Sequence, residues 1–185
     1  MSTAESILSP QLETLAHDYR FASTEARSVL LYNDEERVRK RPSAANWSPL
    51  ECVVHLNLSN QAMLPGIRHA VAEASESPAE GKKYRMDFTG RFLAWSLEPP
   101  ALIKIKTSKL TEPLEAEGPE PVLAEFERMH EQLIELLHSS VGKAIDGQKL
   151  KSPFANLHYN AYSAFRIIAA HDRRHLWQAR RALAR

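Results

Sequence analysis

Two histidines near the end of the sequence have the residue type and the spacing of a metal site. The segment His171-Asp172-Arg173-Arg174-His175 separates them by four positions. On an α-helix, residues four apart lie one above the other on the same face, so two imidazoles at this spacing can bind one ion. Neutral imidazole is a ligand for zinc, nickel, copper and iron. By itself, the pair is equally explained by two partly exposed histidines on a helix.

Two further observations favour a metal site. His171 and His175 continue the apolar stripe of positions 164–168. Both rings are therefore predicted to point inward, where an unpaired polar ring is costly. His55 lies in the apolar stretch of an earlier predicted helix. On its own, His55 is read as a buried histidine with a hydrogen-bond partner, but with the pair it could supply a third ligand from a facing helix.

The elements that must position these residues are mostly helical. Apolar residues recur at spacings of three and four and predict four long helices. Ser9-Pro10 and Ser48-Pro49 each place a capping serine before a proline at the first helical position, and Glu51 completes a capping box with Ser48. The expected ranges are about 10–31, 49–73, 121–139 and 160–184, with a short helical piece over 34–39.

A long connection separates the second and third long helices. Residues 76–118 are expected to cross over while packed on the bundle, because structureless loops of this length are uncommon in compact domains. Within the connection, Phe88, Phe92 and Trp95 recur at spacings of four and three and predict a short amphipathic helix. The stretch 101–110 is the one segment with a strand-like sequence.

The chain is expected to form one all-α domain over residues 1–185, a four-helix bundle in which residues 143–158 are a loop. Its length of 185 residues, with 43% apolar and 25% charged residues, is typical of a globular domain. The single cysteine, Cys52, excludes an intramolecular disulfide and a Cys-only zinc site, and favours a reducing compartment such as the cytoplasm. No apolar run is long enough for a membrane span, and no glycine-rich phosphate loop is present.

The net charge argues against nucleic acid as a partner. The chain has 24 Lys and Arg against 23 Asp and Glu, a formal net charge of +1, whereas nucleic-acid binding favours a strongly basic surface. The last predicted helix is nevertheless rich in arginine, which leaves nucleic-acid binding as an alternative to a solvated basic face. These arginines are Arg166, Arg173, Arg174, Arg180, Arg181 and Arg185.

Two segments resemble the sequence signatures of DinB-like proteins. Residues 46–56 contain W-S-x-x-E-x-x-x-H-L, and residues 170–178 contain H-x-x-R-H-x-x-Q. The acidic residues 34–36 and the Arg41-Pro42 pair before Trp47 also match in kind. The helix order and the central crossover resemble this family along nearly the whole chain.

The resemblance implies a four-helix bundle of up-down-down-up type that holds a divalent metal, nickel or zinc, through three histidines. Carried over by position, the ligands are His55, His171 and His175. Relatives include thiol S-transferases that use low-molecular-weight thiols and proteins described as metal-dependent hydrolases, and family members are often homodimers. The expected function is therefore a metal-dependent enzyme, a hydrolase or a thiol S-transferase, with a small-molecule substrate. The alternative is a stress-related protein that binds a metal or a small molecule without catalysis.

Four residues near the histidines are candidates for a catalytic role. Asp172 stands where an H-E-x-x-H protease has its general-base Glu, but its side chain is one methylene shorter, so a protease of that class is not expected. Glu51 could act as a general base or serve in the capping box alone. Arg174 could hold an anionic substrate or pair with an acid at the bundle rim. Gln178 could orient a ligand or a water molecule, or could form a hydrogen bond to another helix.

The remaining cysteine, tryptophan and histidines have no assigned chemistry. Cys52 is read as a small buried residue, and Trp47 as a core anchor at a helix start. The position of His158 relative to the metal site stays open. Four histidines have no partner pattern and are expected at the surface or rim: His17, His69, His130 and His138.

Overall fold

Helices make up most of the chain in the computed structural model, which describes residues 8–77, 83–100, 107–113 and 118–184. The four long helices lie where the apolar periodicity predicts them. None of the helices in these ranges is both long and apolar enough to cross a bilayer. In chain order the elements are α1 (Pro10–Leu31), α2 (Glu35–Arg39), α3 (Pro49–Glu73), α4 (Phe88–Leu97), a 3-10 turn (Lys109–Thr111), α5 (Pro119–His138), β1 (Lys149–Lys151), β2 (His158–Asn160) and α6 (Ala161–Leu183).

Four of these helices, α1, α3, α5 and α6, form the bundle. α1 packs against α5 and α6, and α3 packs against the same two helices, so α5 and α6 occupy opposite corners. Contacts between side chains show the direction of each helix. α1 is parallel to α6, because Gln11 contacts Tyr162 and Asp18 contacts Arg173. α3 is parallel to α5, because Asn57 contacts Val122 and Arg68 contacts Gln132. α1 is antiparallel to α5, because Tyr19 contacts His130 and Arg27 contacts Glu127, which gives the predicted up-down-down-up order.

The parallel arrangement of α3 and α5 explains the long connection between them. A chain that leaves the end of α3 must return along the bundle before it can start α5 in the same direction. On this return path α4 lies against α6, and the 3-10 turn lies against α3. The crossover is therefore brought onto α3 and α6, the two helices that carry the candidate histidines.

The predicted helix α4 is present, but its aromatic face does not pack on the bundle. Leu93 and Leu97 pack against the core instead. A Cβ atom at Gly90 would lie 2.2 Å from Cβ of Ser163, so the glycine side of α4 approaches α6 closely. The three residues that suggested the opposite face are exposed: Phe88 (87%), Phe92 (54%) and Trp95 (61%).

The expectation of a loop over residues 143–158 is partly wrong, because this region contributes to an antiparallel hairpin. β1 pairs with β2, and Leu150 lies opposite Tyr159. Strands of three residues are too short to display the alternation by which strands are recognised in a sequence. The strand-like stretch 101–110 falls partly outside the described residues, and its end forms the 3-10 turn.

The buried face of α3 is broader than one apolar stripe. Leu50 and Ile67 are buried, whereas Val54, Leu58 and Ala62, which follow Leu50 at a spacing of four, are half-buried. α3 contacts α5, α6, β1 and the 3-10 turn, so buried positions are spread around much of its circumference. A single stripe describes a helix with one covered face, and α3 has more than one.

Two apolar clusters fill the bundle, and buried polar residues lie where one gives way to the other. On α3 one cluster ends at Leu56 and the next begins at Met63. On α6 the corresponding change occurs between Ala169 and Leu176. The buried polar residues in these intervals are Asn57, Ser59, Asn60, Asp172, Arg174 and His175.

His130 of α5 also reaches this polar layer, and its expected place at the surface or rim is wrong. It is 1% exposed, and its Nε2 lies 3.0 Å from Oδ2 of Asp172. A carboxylate partner makes the burial of an imidazole tolerable. Nothing in the local sequence indicates that partner, because it lies 42 positions away.

Candidate metal centre

The structure brings together the three histidines that the resemblance nominates. His171 and His175 lie one turn apart on α6, and His55 faces them from the neighbouring helix α3. Their potential ligand atoms all lie within 4.8 Å of one another. The closest pair is Nε2 of His55 and Nε2 of His171, at 3.1 Å. Three imidazoles thus converge on one point between α3 and α6.

A backbone carbonyl orients the His55 ring. Nδ1 of His55 donates a hydrogen bond to the carbonyl oxygen of Thr111 at 2.6 Å. This bond places the ring proton on Nδ1 and leaves the Nε2 lone pair directed at His171, as in many metal-bound histidines. Thr111 ends the 3-10 turn of the crossover and is 2% exposed. A backbone acceptor leaves no signature in the sequence, so Thr111 could not have been found there.

The geometry and the donor atoms fit a divalent transition-metal ion. Two nitrogens bound tetrahedrally about 2.0–2.1 Å from one zinc ion would lie about 3.3 Å apart. The His55 and His171 Nε2 atoms are 3.1 Å apart. Nδ1 of His175 is buried and has no hydrogen-bond partner among the described residues. The cluster consists of imidazoles, whereas calcium and magnesium prefer oxygen ligands.

The surroundings keep the three imidazoles neutral. Burial lowers the pKa of His171 to about 3, with additional contributions from the nearby His55 and Arg174. The pKa of His175 is also well below its ordinary value, first because the ring is buried and then because His171, His55 and Arg174 lie nearby. Burial also lowers the pKa of His55, although its bond to Thr111 acts in the opposite direction. Neutral rings are the form that binds a metal ion.

A cavity of about 950 Å³ opens beside the histidines. The indole of Trp47 forms one wall, with its ring centre 4.8 Å from that of His55 and 5.7 Å from that of His175. Trp47 therefore contacts the site in addition to the apolar cluster that it was predicted to anchor. The other walls come from α3, the crossover, the hairpin and α6, and include Met63, Leu93, Leu97, Thr107, Ser108, Phe154, Leu157, Tyr159 and Ile167.

Two of the four candidate catalytic residues line this cavity. Arg174 does so while its Nη1 donates to the carbonyl oxygen of Ser96 at 3.0 Å. Gln178 lies one turn beyond His175 and is half-buried. Both positions follow from the helical register of the two histidines on α6.

The other two candidates are engaged elsewhere. Asp172 points to the opposite side of α6 and meets His130. Glu51 forms the predicted capping box with Ser48 and accepts hydrogen bonds from Arg41. Partial burial raises the pKa of Glu51, but the bonds from Arg41 and Ser48 outweigh it and lower the pKa. Neither carboxylate is among the residues that line the cavity.

The remaining predictions about polar residues have mixed outcomes. Cys52 is buried in an apolar cluster as expected, and burial raises the pKa of its thiol. His158 is exposed and does not line the cavity. Of the surface or rim histidines, His17 and His69 are exposed and His138 is half-buried.

Several of the C-terminal arginines have identifiable partners. Arg173 pairs with Asp18 and Glu98, and Arg180 pairs with Glu25. The Arg181 guanidinium lies 4.8 Å above the Trp177 ring centre. The arginine-rich helix is thus partly neutralised by acids from α1 and from the end of α4.

Comparison with known proteins agrees with this architecture. A solved structure with a similar fold is that of YfiT from Bacillus subtilis, described as a probable metal-dependent hydrolase with an unusual four-helix bundle topology. The two chains are 14% identical, the similarity covers 98% of this chain and 91% of that chain, and the TM-score is 0.63. No curated protein matches the chain in sequence. The family model of the DinB superfamily matches residues 19–179, and the chain therefore belongs to the DinB superfamily.

Proposed function

We propose that this protein is a divalent-metal-dependent enzyme whose nickel or zinc ion is held by His55, His171 and His175. The observation that carries the proposal is the convergence of three neutral imidazoles at the wall of a large cavity. Three protein ligands leave a coordination position for water or substrate, which is the arrangement of catalytic zinc sites. When bound, a divalent cation supplies Lewis acidity that lowers the pKa of a coordinated water and removes the proton of a coordinated thiol.

The surrounding residues prepare this site for chemistry. The Thr111 carbonyl holds His55 in the tautomer that presents Nε2. Trp47 covers His55 and His175 and limits the access of bulk water from its side. The cavity offers room for a small molecule next to the histidines, within the usual range of about 300–1,000 Å³ for ligand pockets.

Hydrolysis is the first candidate reaction. It is supported by the shared fold with YfiT, which is described as a probable metal-dependent hydrolase. A water nucleophile in such enzymes is commonly assisted by a carboxylate general base. No Asp or Glu lines the cavity among the residues that the structure describes.

Thiol S-transfer is the second candidate, and the missing carboxylate favours it. A thiol gives up its proton much more readily than water, so it depends less on a general base. The chain's own thiol, Cys52, is buried away from the cavity and is excluded as the nucleophile. The thiol would therefore be a low-molecular-weight cosubstrate.

Metal content tests the ligand assignment. Protein purified without a histidine tag should contain about one metal ion per chain, as measured by inductively coupled plasma mass spectrometry. His171→Ala should lose the ion, because two imidazoles hold a metal less tightly than three. The matched control is His69→Ala, which removes an exposed histidine of α3. Equal metal content in all three proteins would refute the assignment.

Turnover tests the chemistry. Metal-loaded protein should hydrolyse a member of an ester and amide panel, or should transfer a small thiol to an electrophile, and His55→Ala should abolish that activity. Activity in the thiol-transfer assay but not with any ester or amide would identify the protein as a transferase. A fully loaded protein without any turnover that depends on His55 would refute catalysis and leave a metal-binding protein.

A further inference from the structure

The outer face of α4, which is directed away from the bundle, is aromatic and exposed. Its four members lie at positions i, i+3, i+4 and i+7 and therefore share one side of the helix: Phe88, Arg91, Phe92 and Trp95. The rings of Phe92 and Trp95 lie 6.0 Å apart between centres. At about 150–250 Å² for each aromatic side chain, the exposed fractions add up to an area on the order of 400 Å². Exposed apolar patches of this size are often functional.

Basic side chains lie beside the start of this face. Lys83 and Arg85 belong to the segment that leads into α4, and both are exposed. The carbonyl oxygen of Arg85 accepts a hydrogen bond from the side chain of Asn160, which lies opposite Lys149 in the hairpin. Lys149 and Lys151 form the exposed side of β1. The two lysines of the hairpin are therefore close neighbours of the segment that leads into α4.

Acidic side chains do not balance this charge. Residues 83–91 and 149–151 contain five Lys and Arg against one acid, Asp87. Asp87 is half-buried, and its carboxylate accepts hydrogen bonds from two backbone N–H groups. Asp146, a second half-buried acid nearby, accepts a hydrogen bond from the backbone N–H of Arg85. This surface is therefore more basic than the chain as a whole, whose formal net charge is +1.

The combination of aromatic and basic side chains favours an anionic lipid surface over other partners. A second copy of the chain, packed face to face, would bring the same cations together, and like charges across an interface are costly. Single-stranded nucleic acid is bound in basic grooves that follow its backbone, whereas Phe88 is 87% exposed and projects from the surface. Helices that lie in the membrane interface carry Trp and Phe on one side and Lys and Arg on the other.

We propose that the outer face of α4 docks the protein on an anionic lipid bilayer. Phe88, Phe92 and Trp95 enter the interfacial region, and the neighbouring Lys and Arg side chains lie against the lipid phosphates. The opposite side of α4 contributes Leu93 and Leu97 to the cavity wall. Docking therefore places the cavity about 10–12 Å from the bilayer surface, the diameter of one helix. The proposal does not depend on the metal site.

Vesicle binding tests the proposal. Full-length protein is mixed with vesicles of phosphatidylcholine alone or of phosphatidylcholine with phosphatidylglycerol, and the bound fraction is measured by flotation. Wild type should bind the anionic vesicles at least about tenfold more tightly than the neutral ones, because each basic residue near such a surface contributes. The preference should shrink as salt is added. His171→Ala should bind the anionic vesicles as tightly as wild type, since its substitution leaves α4 unchanged.

Two variants with matched controls separate the aromatic and the basic contributions. Phe92→Ser should weaken binding to the anionic vesicles about fivefold, because a half-exposed ring no longer leaves water. Phe21→Ser should bind as wild type, although Phe21 on α1 is 53% exposed and Phe92 is 54% exposed. Lys149→Gln should also weaken binding about fivefold at low salt. Lys40→Gln removes an exposed lysine after α2, which lies beside the opposite end of α6, and should have no effect.

Several results would overturn lipid docking. Wild type that binds neither kind of vesicle, or both equally well, would do so, as would equal losses in Phe92→Ser and Phe21→Ser. Self-association that Phe92→Ser abolishes, without any vesicle binding, would assign the face to a second copy instead. Tighter binding of an oligothymidylate than of the anionic vesicles would assign it to nucleic acid.

Discussion

Nε2 of His130 lies 3.0 Å from Oδ2 of Asp172, although the two residues belong to helices at opposite corners of the bundle. Nδ1 of the same ring lies 2.8 Å from the carbonyl oxygen of Phe126, so each ring nitrogen of His130 faces an oxygen atom. Both side chains are almost fully buried, at 2% and 1%. Because Asp172 follows His171 directly, this contact ties α5 to the turn of α6 that presents the candidate metal ligands.

The first prediction concerns the stability that this pair contributes. His130→Leu and Asp172→Leu should each lower the free energy of unfolding by about 3–5 kcal/mol, because each leaves one buried polar partner alone. The double replacement should cost clearly less than the sum of the two, since it leaves no unpaired group. Urea unfolding of the four proteins measures the cycle. Strictly additive losses would show that the two side chains do not interact.

The second prediction separates a structural role of Glu51 from a catalytic one. Glu51→Ala removes the carboxylate that accepts hydrogen bonds from the Ser48 backbone N–H and from Arg41. This change should lower the free energy of unfolding by about 1 kcal/mol. The ion pair adds little to this value, because the Arg41 side chain is 48% exposed. Metal content and any turnover per bound metal should remain at the wild-type level. Normal stability with lost turnover would instead assign Glu51 to the chemistry.

The helices and the paired ligands of α6 could be predicted because they depend on local spacing. Apolar residues three and four apart place a helix against a core, and the same register puts His171 and His175 on one face. The start of α3 could also be predicted, because Ser48 and Glu51 form their capping box within one turn. Signals of this kind require no knowledge of the rest of the fold.

The features that escaped prediction depend on contacts between distant segments. His130 is buried because Asp172 meets it across the bundle, and the orientation of His55 depends on a carbonyl 56 positions away. The packed face of α4 was misassigned for the same reason. Its aromatic residues had the helical spacing of a buried stripe, but the close approach at Gly90 selects the other side.

The third prediction tests that close approach. Gly90→Ala should destabilise the protein by about 1–3 kcal/mol, because the new Cβ would lie 2.2 Å from Ser163 and force α4 away from α6. Gly66→Ala in α3 is the control, since its Cβ would meet Leu150 at an ordinary distance of 3.4 Å. This second change should be neutral or stabilising by up to about 1 kcal/mol through helix propensity. Thermal unfolding distinguishes the two, and equal effects would argue against the contact.

The fourth prediction follows from the low pKa of His171 and concerns the metal-free protein in mild acid. The unfolded chain takes up a proton at His171 near the ordinary pKa of 6.5, whereas the folded chain does so only near pH 3. Between these values the unfolded state binds more protons, so stability must fall as the pH falls. His171 alone should contribute a slope of about 1.4 kcal/mol per pH unit within this window.

Urea unfolding of metal-free protein between pH 5 and 7 measures this slope, in a range where most carboxylates stay ionised in both states. His171→Ala should show a shallower dependence on pH than the wild type, because the proton difference at this position is removed. His69→Ala, at an exposed position, should retain the wild-type slope. If His171→Ala and wild type lose stability in parallel, His171 accepts a proton in the folded state and is not held as the neutral imidazole that metal binding requires.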